Sequence, residues 1–119
     1  MIINMTPHNL TIVDAEGNSV EFEKPSPETE IPRLVPWRRL LCELNGIRLY
    51  QTELGKVEGL PPRDRNKILI VSALVAEHPS LDERPDLVYP GEAIRDEEGR
   101  IVGANGLCAG KGMVEAFKD

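Results

Sequence analysis

The stretch from Lys67 to Glu77, KILIVSALVAE, constrains the fold of this chain more than any other. Its first half, Ile68, Leu69, Ile70 and Val71, is an unbroken β-branched and leucine run, the pattern of a strand buried on both faces. Such a strand needs cover on two sides, so the rest of the chain must pack around it. Ser72 interrupts the run where a strand can hand over to a short helix, Ala73 to His78, because a serine oxygen accepts an orphan helix N–H. Pro79 ends that helix within two turns. The free N–H groups at its start carry partial positive charge, which makes Ser72 and Ala73 a candidate seat for an anion.

Ten prolines and ten glycines leave few places for a helix longer than about three turns. With only 4% aromatic residues, the core must be built from Ile, Leu and Val. These constraints predict an α+β fold, a mostly antiparallel β-sheet or partly open barrel with one short helix after the central strand. A chain of 119 residues suits a single domain, with residues 109–119 as a glycine-rich, weakly amphipathic tail that either docks through Met113, Val114 and Phe117 or stays flexible.

Turn chemistry fills in the elements. Asp14 to Gly17 opens a hairpin from Leu10–Val13 to Ser19–Glu23, and Asp96 to Gly99 opens another from Ala93–Arg95 to Arg100–Leu107. The two stretches, IVDAEGNSV and IRDEEGRIV, align directly and share a turn type. Lys24 to Pro36 reads as an exposed connection with an extended piece near Arg33 to Val35. Trp37 to Leu44 fits a helix by its Trp37, Leu40, Leu41, Leu44 spacing. Asn45-Gly46, flanked by alternating Leu40, Cys42, Leu44 and Ile47, Leu49, favours a hairpin instead. Strand-like residues continue to about Thr52, Gly55 to Asn66 reads as a polar connection, and Leu87 to Tyr89 reads as a brief strand before Pro90-Gly91.

A net charge of −6 argues against a surface for DNA or RNA polymers, which needs a basic patch, while a small anion needs only a local cluster of positive groups. Cys42 and Cys108 lack paired spacing and read as reduced core thiols. The start, MIINMTPH, lacks the pattern of a signal peptide, and no apolar run approaches membrane-spanning length, so a cytoplasmic, soluble protein with no membrane partner is expected.

No stretch matches a catalytic motif well enough to name a reaction. Gly106, Gly110, Lys111 and Gly112 fail as a phosphate loop, because the spacing is one residue short and Gly112 stands where a hydroxyl should hold magnesium. His8 and His78 lack metal-site spacing, so neither a metal nor a cofactor is expected. Ser72 lacks the small neighbours of a nucleophile elbow and reads as a cap. Arg84, Asp86 and Arg95, beside a proline-glycine turn, offer guanidinium forks for phosphate or carboxylate; the alternative is an internal ion-pair network fixing a loop to the sheet. With Asn4, His8, Ser72 and Ala73 they form the candidate ligand-binding set.

The N-M-T-P-H start from Asn4 to His8, the Gly59-Leu60-Pro61 turn, Val71-Ser72-Ala73, and R-D-E-E-G-R-I-V-G from Arg95 to Gly103 resemble small phage and bacterial proteins of unassigned activity over most of the chain. Phage proteins of this size include sponges that sequester nucleotide immune signals of the host. That analogy implies an anti-defence, non-enzymatic binding module for a small anionic or nucleotide-like ligand, held at a homo-oligomer interface because so small a core leaves little room for an internal pocket. It assigns no residues. The alternative is a structural or protein-interaction protein using its edge strands and Trp37 as contact surface. A small hydrolase or nuclease using Asp86 or Asp96 with His8 is the third reading.

Overall fold

The computed structural model of the chain describes residues 1–117, the Leu54 side chain excepted. The apolar run from Lys67 forms β6 (Ile68–Ile70), and the alternation of a strand sends its side chains to two separate clusters. Leu69 and Val71 pack with Met5, Val75, Ala76 and Leu87 on one face. Ile70 packs with Val88 and Met113 on the other. Burial on both faces, expected from the unbroken run, is what the structure shows.

Six strands, β1 (Ile2–Asn4), β6, β7 (Leu87–Arg95), β8 (Ile101–Ala109), β2 (Leu10–Val13) and β3 (Ser19–Phe22), bond in that order into a nearly closed, barrel-like sheet. It is mixed: β1–β6, β6–β7 and β2–β8 run parallel, while β2–β3 and β7–β8 are antiparallel hairpins with longer registers. The two predicted turns match atom for atom. Asp14 Oδ1 accepts from the Glu16 and Asn18 N–H groups, and Asp96 Oδ1 accepts from those of Glu98 and Arg100.

Several expectations are corrected. β7 does not stop before Pro90-Gly91 but runs through both residues. Its neighbour β6 reaches only Val88, so the missing proline N–H faces no partner, and the absent glycine Cβ leaves room for the Asn105 carbonyl. The expected helix after Ser72 is a single turn, α1 (Ala73–Ala76), followed by a 3₁₀ turn at Pro79–Leu81 whose N-cap is His78. A second helix, α2 (Lys111–Ala116), forms where only one helix was expected, and it docks the tail through Met113. The glycines there serve close packing, since a Cβ on Gly112 would meet the Arg84 carbonyl. Residues 118–119 of the tail lie outside the described residues.

The remaining strands, β4 (Arg33–Leu44) and β5 (Ile47–Glu58), form a separate antiparallel sheet. Asn45 and Gly46, at φ 50° and 81°, make the two-residue turn that the Asn-Gly pair predicts, so this segment is a hairpin rather than a helix. β5 runs on to Glu58, past the predicted end near Thr52, because an extra residue at Leu54–Gly55 is absorbed as a bulge between the Val35–Lys56 and Trp37–Glu53 pairs. The foot of the hairpin joins the main core through Val57. Its distal part projects. The radius of gyration is 17.2 Å, against about 13–14 Å for a compact chain of this length.

Candidate functional site

The structure disperses the predicted ligand-binding residues and gives most of them internal partners. Asn4 ends β1 and is buried. Its amide donates to the His8 and Phe22 carbonyls at 2.7 and 3.1 Å, and its oxygen accepts from the Thr6 N–H and hydroxyl at 2.9 and 2.7 Å. Both donors and both lone pairs are used, and the bond to Phe22 ties edge strand β1 to edge strand β3. His8 contributes its carbonyl to this knot while the residue lies exposed in the loop. Ser72 Oγ accepts from the Val75 N–H at 3.3 Å, the cap predicted for it, and Ala73 begins the turn that it caps.

Arg84 and Asp86 sit at the opposite end of β6 from Ser72. The Arg84 guanidinium donates to both Asp86 oxygens at 2.9 and 2.8 Å and to the Pro61 carbonyl at 3.0 Å. The two-pronged bond is internal to the loop before β7, and the bond to Pro61 pins that loop to the connection before β6. Arg95 lies at the far end of β7, about 26 Å along a strand of that length, and donates to Gly99 O at 2.7 Å within its own turn. Beside it, the backbone N–H of Arg100 holds the Asp96 carboxyl below the usual carboxylate range. Asn4, Ser72 and Ala73 share one end of the barrel; Arg84 with Asp86, and Arg95, stand elsewhere. Among the described residues, no three His, Cys, Asp or Glu side chains gather as metal ligands.

Exposed large apolar side chains are scattered over the surface, among them Leu74, Ile101 and Phe117, but they are densest on the β4–β5 arm. Trp37, Leu40, Leu41, Leu44, Ile47, Leu49 and Tyr50 are between 44% and 72% exposed. Directly opposed pairs point to one face, so Trp37–Glu53, Arg39–Gln51, Cys42–Leu49 and Leu44–Ile47 share a face, and Leu40–Tyr50 and Glu43–Arg48 occupy the other. The bulge at Leu41 produces this division, because without it Leu40 would lie with Cys42 and Leu44. Cys42 is exposed on the arm, not a core thiol as expected, while Cys108 is half-buried; both are free.

At the foot of the arm, Val35, Trp37, Gly55, Lys56 and His78 line an open hollow of about 440 Å³. His78 holds its wall: Nε2 bonds the Gly55 carbonyl at 2.9 Å, and Nδ1 accepts from the Ser80 N–H at 3.1 Å. Lys56 has no ion-pair partner among the described residues. Charge sets the arm apart as well. Residues 33–58 carry five Lys and Arg against three Glu, and the rest of the chain carries nine basic residues against seventeen acidic ones. Sequence reasoning found the hairpin and Trp37 but not the exposure of Leu44 and Ile47. Apolar residues on both faces of a hairpin read as a central strand pair unless the partners are counted.

Comparison with protein-family models, with curated proteins and with solved structures finds no match to this chain.

Proposed function

We propose that the chain is a protein-interaction module whose β4–β5 arm is the contact element. One observation carries this reading: seven large apolar side chains lie outside the core on a two-stranded projection. Apolar surface is worth roughly 25 cal/mol for each Å² removed from water, and contiguous exposed patches mark interaction sites. An isolated two-stranded ribbon is marginal in water, so the arm gains its order when something covers it. Replacing residues 37–53 by a short Asn-Gly turn tests the reading. The barrel should keep its unfolding transition while every association of the protein, measured by sedimentation, is lost. Associations that survive the replacement contradict it.

A second reading, a binding module for a small anionic or nucleotide-like ligand of the sponge type, is supported by the hollow at the foot of the arm. There a half-exposed indole and an ammonium without an ion-pair partner among the described residues face one space, the combination that suits a stacked base with a phosphate. Calorimetry with ADP-ribose derivatives and cyclic dinucleotides should give heat with at least one compound, abolished by Lys56→Ala. Silence across the panel contradicts this reading.

A further inference from the structure

We infer that the occupant of the arm's Trp37 face is the same arm of a second copy, laid antiparallel so that each tip enters the other's foot hollow. This rests on the arm being the contact element, and it names the partner. Knob and hole are both present on one molecule. Leu44 and Ile47, 56% and 72% exposed, form an apolar knob at the tip, and Val35 and Trp37 line the hollow on the same face. From Ile47 to Glu53, the residue opposite Trp37, is about 20 Å of strand. A two-fold axis midway along that length places each knob over the other copy's Trp37. It also lays Cys42 and Leu49 over the stems of Arg39 and Gln51. One patch thus serves both partners, which is the defining property of a closed two-fold interface.

The area suffices. On this face Trp37, Leu44, Ile47 and Leu49 are between 44% and 72% exposed. With the polar residues between them, each chain offers about 600 Å², or about 1,200 Å² for the pair, the lower end of the range of specific interfaces. Charge permits the approach: the arm's cations and carboxylates are interspersed, and the Arg39 guanidinium is already held by Gln51 at 2.8 Å. The chain's acidic excess lies outside residues 33–58, which carry five Lys and Arg against three Glu.

Cys42 makes the arrangement measurable, since the two Cys42 Cα atoms would stand about 12 Å apart, two residues along the arm and one sheet spacing across, with the thiols between them. The experiment uses the full chain carrying Cys108→Ser, with light scattering for mass and a short bis-maleimide as crosslinker. The expected result is a dimer joined efficiently through Cys42. In a Leu44→Glu, Ile47→Glu variant of unchanged circular dichroism, the dissociation constant should rise at least about 100-fold, as expected when charge replaces the apolar anchor at both ends of the overlap, and the crosslink should disappear. A monomer with no crosslink overturns the second copy as occupant and leaves the arm free to meet another protein. A dimer unaffected by the double substitution overturns both this inference and the arm's role as contact element.

Discussion

At the scale of single residues, the polar side chains that look most like a ligand site are mostly the ones that hold the fold together. Asp86 is buried, and its carboxylate depends on Arg84. Arg84→Ala should therefore destabilise the protein by about 3 kcal/mol, because it leaves an unpaired buried charge, and urea unfolding will show it; a change under about 0.5 kcal/mol would mean the pair is solvated. Tyr89 gives a prediction in pH. Its hydrogen bond to the Glu77 carboxylate, with burial second, pushes the phenol from 10.0 up to about 12. The folded state favours the neutral form, so this contribution is complete below pH 10 and is lost as pH rises toward 12. The difference in stability between the parent and Tyr89→Phe should shrink across that window and stay flat below it. Sequence reasoning could name Arg84 and Asp86 as partners for something. It could not show that they partner each other, because that depends on a loop whose path is set by Pro61 from elsewhere in the chain.

At the scale of elements, what was legible was whatever short-range chemistry dictates. The Asp-to-Gly turns, the Asn-Gly turn, the Ser72 cap and the two-faced strand β6 each follow from a few neighbouring residues. What was not legible depended on distant contacts. The parallel pairings of β1, β6 and β7 follow from connections rather than from local pattern. α2 was hidden because Gly110 and Gly112 read as flexibility, whereas both are places where another backbone comes close. Gly112→Ala should cost about 1–3 kcal/mol through overpacking against the Arg84 carbonyl. Thermal melts can check this, and a neutral substitution would mean that α2 packs more loosely than described.

At the scale of the whole molecule, a nearly closed, acidic barrel-like body carries an arm with the opposite charge balance and an apolar surface. The barrel explains stability; the arm has no evident role in it, since its distal side chains lie outside both core clusters. The proposed reading assigns the contact to the arm, whose distal two strands have no third strand or core to cover them. Hydrogen exchange of the β4 and β5 amides, followed as the pure protein is diluted from high to low micromolar concentration, tests that reading most directly. Arm amides from Trp37 to Glu53 should be protected when concentrated and lose protection on dilution, while the amides of β6 and β7 stay unchanged. Arm exchange that is the same at every concentration would contradict self-association through the arm.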